Sequence, residues 1–242
     1  MPATRHRPFR LAAGCGLTLA SLLTAAQPAN MTPGEVSLTH PVCEDAQGMP
    51  AGWVQHFRHS PRAPYWEGLL GKTFWDVHHY CWALIHMQRA QRPGVPKQER
   101  DHTMRVAIRD YYYVIHAARR NGDDKMPLLP ELFYRSGEAY VLLGEYPQAI
   151  AEFERSREAK ADYWPPYVAQ ASLHHKLGMV AQARELLESG LKLMPDDPNL
   201  QEALRKIGRG GAAASDTRRP AAGGPRRSPA AAVAGAASTA AR

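Results

Sequence analysis

The densest concentration of chemically competent side chains in this 242-residue sequence is Trp75-Asp76-Val77-His78-His79-Tyr80-Cys81-Trp82, with His86 one turn further on. Imidazoles and a thiolate ligate zinc or copper, so the spacing decides what the cluster can do. His79 and His86 share a helical face, but seven residues rise about 10.5 Å, too far for one ion with ordinary rotamers. His78 and Cys81, three apart, are close enough to share an ion, and a disulfide at Cys81 would close that option. The metalloprotease pattern of two histidines four apart with an intervening glutamate is absent. So is a Cys-x-x-Cys-His haem attachment. The competing role is packing: Trp75, His79, Trp82, Ala83 and His86 fall on one stripe of a helix. Glu138 and Glu145 read as a solvated helix face rather than an acid/base pair. No nucleophile elbow or phosphate-binding loop occurs. The sequence therefore predicts no catalytic residue, no resident metal and no cofactor.

The elements that carry these side chains follow from period and punctuation. Residues 73–92 lack Pro and Gly up to Pro93-Gly94 and are expected to form one helix. A second is expected from Gln98 to Arg120, with Met104, Ala107, Ile108, Tyr111, Val114 and Ile115 inward and Asn121-Gly122 as its stop. Further on, the sequence repeats with a period of 34. Phe133 falls on Tyr167, Gly137 on Ala171, Leu143 on Leu177, Gly144 on Gly178, Ala149 on Ala183 and Phe153 on Leu187. Asp197-Pro198 opens a last helix with a polar outer face.

A 34-residue period of helix–turn–helix units resembles the tetratricopeptide repeat (TPR) family, whose pattern is W-x2-L-G-x2-Y…A-x3-F…P. It reads first as Phe133-x2-Ser136-Gly137-x2-Tyr140, Ala149-x3-Phe153 and Ala161. It reads again as Tyr167-x2-Gln170-Ala171-x2-His174, Ala183-x3-Leu187 and Pro195. Ser136 and Gln170 stand where the family has leucine. His174 stands for an inward tyrosine, which places it in the core, with His175 on the other face. The helices of 73–120 resemble a degenerate third repeat. Ala83 and Ala107 lie 24 apart instead of 12, so the surplus is expected in the connection around Gln91–His102. The expected fold is all-α, a short right-handed helical-repeat solenoid with two clear repeats (130–163 and 164–197), the degenerate pair (73–120) and a capping helix (198–208). Three repeats are about the minimum for stability, so either the degenerate pair counts or a homodimer completes the stack.

The resemblance also implies a function. First helices of successive TPR pairs line a groove that receives a peptide or partner helix. Here that groove would be lined by Tyr80, Leu84, Met87, Tyr134, Glu138, Val141, Val168, Ser172, His175 and Lys176. The Lys and Asn set that grips a C-terminal carboxylate in some members is missing, which argues against a chaperone-tail receptor. The competing occupant is the chain's own N-terminal arm.

Charge is concentrated at the two ends. Arg5, Arg7 and Arg10 give residues 1–26 a charge of +3, and six arginines against Asp216 give residues 209–242 a charge of +5; subtracting both from the total of +7 leaves −1 for residues 27–208. A near-neutral folded part argues against a nucleic-acid face. Residues 1–26 read as an export signal, with a cationic start, an uncharged run Leu11–Ala26 and small residues Thr24-Ala25-Ala26 for a peptidase. An exported, periplasmic protein is the resulting expectation, with an envelope protein or peptide as partner. Leu11-Ala12-Ala13-Gly14-Cys15 also resembles a lipoprotein box, so a lipoprotein for envelope or pilus assembly anchored through Cys15 is the alternative. Membrane contact follows only from that anchor or from an uncleaved signal. After cleavage Cys43 and Cys81 remain, an even count in an oxidising compartment. A disulfide between them is expected, two unpaired thiols being the other possibility. Residues 27–72 are rich in Pro, yet Trp53, Val54, Phe57, Tyr65, Trp66, Leu69 and Leu70 are too many large apolar groups to leave in water. They read as an ordered arm with short helical turns near Gly52–His59 and Tyr65–Leu70. Residues 209–242, Ala, Gly, Pro and Arg, read as a disordered tail.

Overall fold

The computed structural model describes residues 31–46 and 60–216, side chains beyond 208 excepted. The expected signal, Cys15, Trp53, Val54, Phe57, the turn near Gly52–His59 and the tail beyond 216 lie outside the described residues. Among the described residues every regular element is helical. The arm contributes α1 (Pro33–Val36), α2 (Val42–Ala46) and α3 (Ala63–Leu70), followed by a 3₁₀ segment, Gly71–Asp76. Three antiparallel pairs follow: α4 (His78–Ala90) with α5 (Lys97–Asn121), α6 (Leu129–Leu143) with α7 (Tyr146–Ala159), and α8 (Pro165–Lys176) with α9 (Val180–Leu193). Helix α10 (Pro198–Asp216) closes the stack against α9 and α8.

Small residues set the spacing within pairs. Ala149, Ala171 and Ala183 are fully buried, and a Cβ on Gly137 would lie 2.5 Å from the Phe153 ring. Only glycine lets α6 and α7 approach this closely with phenylalanine opposite. Gly144 ends α6 at φ 79° and its N–H donates to the Tyr140 and Val141 carbonyls, the left-handed cap that a side chain would strain. The two family departures are satisfied locally. Ser136 Oγ donates to the Leu132 carbonyl at 3.0 Å. Buried Gln170 accepts from Arg157 and lies 3.3 Å from His174 Nε2.

Three expectations need correcting. The helix expected over 73–92 begins at His78, because the chain first passes through the 3₁₀ segment. That segment is pinned by Asp123, which accepts from Thr73 N at 2.9 Å and Thr73 Oγ1 at 2.7 Å. The surplus residues between Ala83 and Ala107 are largely helix rather than connection. Helix α5 starts at Lys97, and Lys97 pairs with Asp101 on the added turns. The last helix runs past 208 to Asp216, so the first eight residues assigned to the tail are helical. Its start is as expected, Asp197 Oδ1 accepting from Asn199 N and Leu200 N at 2.9 and 3.0 Å.

The arm is part of the core. Met31, Val36, Val42, Cys43 and Ala46 share one apolar cluster with Trp66, Leu70 and Phe74, with α4 and α5, and with the start of α6. Thr32 and Glu35 form a capping box at α1. Glu35 then accepts Arg89 Nε and Nη2 at 2.8 and 2.9 Å, and Arg92 Nη2 at 2.5 Å. Asp45 accepts Ser60 Oγ at 2.7 Å, Arg62 Nε at 3.0 Å and Trp66 Nε1 at 2.5 Å. Cys43 is disulfide-bonded to Cys81, with Cα atoms 5.5 Å apart.

Candidate protein-binding groove

Helices α4 and α6 present their inner faces to a cavity of about 710 Å³, which the arm borders at Leu38–His40 and to which α8 contributes only Ala169. This is the size range of ligand pockets. Of the residues expected to line the groove, Tyr80, Leu84, Met87, Glu138 and Val141 stand on its wall. Tyr80 is fully buried rather than presented to solvent, with the arm's His40 ring edge-on 6.2 Å away. Tyr134 is not on the wall. It packs beside Phe153 and Tyr163, and its hydroxyl donates to Glu138 at 2.6 Å. Val168, Ser172 and His175 line a separate hollow of about 500 Å³ against α10, with Trp164, Lys206 and Ile207. Lys176 lies over the Tyr146 ring at 5.5 Å. The expected continuous lining is thus divided, because α8 turns its polar positions toward the capping helix.

A polar network crosses the larger cavity. Arg135 donates to Glu131 at 3.3 Å and to Glu138 at 2.9 Å, and Tyr80 donates to Glu131 at 2.7 Å. Burial pulls the Arg135 pKa down, but the two carboxylates outweigh it and hold the guanidinium charged. Burial lowers the His40 pKa against the opposing pull of Glu131. Burial raises the pKa of Tyr111, whose buried hydroxyl has no hydrogen-bond partner. Around these groups stand Leu38, Leu84, Met87, Val141, Leu142 and Phe153. Sequence reasoning missed Glu131, Arg135 and Tyr111. The i, i+4 and i+3 spacing of Glu131-Arg135-Glu138 was the available signal.

The histidine cluster lies outside this cavity. His79 Nδ1 is 3.0 Å from Asp110 Oδ1, and His86 Nε2 is 3.8 Å from Asp110 Oδ2. The ring of His79 stacks on Tyr113 at 3.8 Å. A carboxylate from α5 thus lies between the two histidines. Burial lowers the pKa of His78 and of His86. The disulfide takes the Cys81 sulfur, so His78 and Cys81 do not form an imidazole–thiolate pair. Among the described residues no group of three or more His, Cys, Asp or Glu side chains is placed to hold a metal ion. His174, expected in the core, is half-buried, and its buried Nδ1 lacks a partner. No described helix is long and apolar enough to cross a membrane.

A comparison with curated proteins returns no match. Among solved structures, the first TPR of Spaghetti (RPAP3) bound to HSP90 peptide SRMEEVD is similar at 20% identity and a TM-score of 0.38, over 55% of this chain and 98% of that one. The family model described as tetratricopeptide repeat matches residues 140–207, from the last turn of α6 into α10. The 34-residue period, the helix pairs and this match agree: residues 140–207 are similar to the tetratricopeptide repeat, and every regular element among the described residues is helical.

Proposed function

We propose that this protein is a non-catalytic interaction scaffold of the cell envelope, exported through its N-terminal signal, and that it binds a peptide or helix of an envelope protein in the cavity between the arm, α4 and α6. One observation carries the reading. The cavity mouth is flanked by large apolar side chains left in water, Leu38 at 77% and Leu142 at 47% exposure. Exposed apolar groups rimming a concave site mark an interaction surface. The described residues of the arm border the cavity at Leu38, Thr39 and His40.

Capture from envelope extract tests this. The protein with Leu84→Asp and Val141→Asp is expected to lose at least about nine-tenths of the captured partner, because a charge in a desolvated contact costs several kcal/mol. Glu185→Lys, on exposed α9, is expected to retain it. Equal capture by all three proteins rejects the groove as the binding site. Cell fractionation with the intact mass reports export: protein in the envelope fraction lacking the residues up to Ala26 supports it, and full-length protein confined to the cytoplasmic fraction refutes it.

A further inference from the structure

Resting on the binding reading above, we propose that the cavity selects a partner segment in which a lysine or arginine sits between large apolar residues. Charge balance is the first ground. Glu131 and Glu138 face the cavity, and among the described residues Arg135 is the one cationic side chain on its wall, at 3.3 and 2.9 Å from them. Two carboxylates and one guanidinium leave one negative charge uncompensated. His40, the titratable side chain that the described arm places on this wall, is driven toward its neutral form by burial. Glu138 keeps 35% of its side-chain surface exposed and Glu131 keeps 21%, so an incoming cation reaches both.

The second ground is independent. Tyr111 is fully buried, lines the same cavity, and its hydroxyl has no hydrogen-bond partner. Buried polar groups are nearly always satisfied; this hydroxyl has under 1 Å² open to water, so it donates to a carbonyl supplied from outside only when a seated segment displaces the side chains over it. A peptide backbone offers one beside each side chain. The apolar flanks come from Leu38, Leu84, Met87, Val141 and Leu142. The basic tail beyond 216 does not meet the description, since Val233 is its one large aliphatic residue.

Fluorescence anisotropy on the full chain, oxidised, tests this with two labelled peptides, GSGLKFGSG and GSGLEFGSG. The lysine peptide is expected to bind at least about tenfold more tightly, since a like charge brought against Glu138 is penalised. Glu138→Gln should shrink that ratio severalfold. Tyr111→Phe should weaken both peptides while leaving the thermal midpoint unchanged or higher, because its hydroxyl makes no bond within the chain; this keeps the test free of any folding defect. Equal affinities for the two peptides, or a Tyr111→Phe protein that binds both undiminished, would overturn the proposal. If the equal binding is lost with Val141→Asp, the groove reading survives and the charge selection alone falls. If neither peptide binds, the proposal falls and the partner capture still decides the broader reading. A dimer in sedimentation that Val141→Asp dissociates would place a second copy in the groove and also overturn it.

Discussion

Replacing Cys43 and Cys81 together by alanine is expected to lower the unfolding free energy by roughly 3–4 kcal/mol, the chain-entropy value for a loop of this length. The bridge spans a sequence separation of 38 and joins α2 of the arm to the first turn of α4. Both cysteines are fully buried, so the cross-link lies inside the apolar cluster that the arm shares with α4 and α5. Without it the arm must be held by side-chain contacts alone, and its amides should exchange by local opening before the repeats unfold. Urea unfolding, with hydrogen exchange of residues 31–46, measures both quantities. A loss below about 1 kcal/mol would contradict the account, because it would mean that the arm is held as well without the cross-link.

The second large effect belongs to Glu35. Its carboxylate accepts two bonds from Arg89, which is 3% exposed, and one from Arg92. Glu35→Ala takes away the charge facing the buried guanidinium and also removes the capping box at Thr32, at a cost of about 3–5 kcal/mol for a broken buried pair. The cost is capped by the free energy that docks the arm, since the arm can open without the repeats. The same contact makes stability acid-sensitive. The Arg89 hydrogen bonds outweigh burial and hold the Glu35 pKa at about 2, against roughly 4.3 in an unfolded chain. A depressed carboxylate pKa contributes stability that is fully present above the unfolded value and lost as pH falls through the folded one. Arm docking should therefore weaken progressively between about pH 4.5 and pH 2, by on the order of 3 kcal/mol. The double replacement Glu35→Met with Arg89→Leu should flatten that pH dependence while costing much less than Glu35→Ala. Acid sensitivity that persists in the double variant would show that Glu35 is not its source.

What could be read in the sequence divides along physical lines. The helix pairs were legible because small residues, turn glycines and large apolar residues recur at one period, and each has a single structural job. Gly137 against Phe153 and Gly144 at its cap are instances. Short arm elements were less legible. Helix α1 has four residues, and no period can show in so few, although Thr32-Pro33-Gly34-Glu35 holds the capping box in plain view. The 3₁₀ segment before α4 was hidden because its cause is remote: Asp123, fifty residues on, fixes Thr73. The bridging of His79 and His86 by Asp110 is likewise a contact between helices. In the groove, Tyr80, Leu84 and Met87 of α4 and Glu138 and Val141 of α6 stand where repeat position put them. Tyr134 of α6 turns away, and Val168, Ser172 and His175 of α8 line a separate hollow. The position of α10 decides where they face, and the repeat pattern does not contain it.

The claim that matters most is that a partner seats in the cavity between the arm and α6. A photo-reactive residue at Val141 or at Leu84, each on the cavity wall, measures it directly when the protein is irradiated in the cells that produce it. The account predicts one cross-linked partner from both positions and none from Glu185 on the exposed side of α9. Cross-linking from Glu185 with none from Val141 and Leu84 would contradict it.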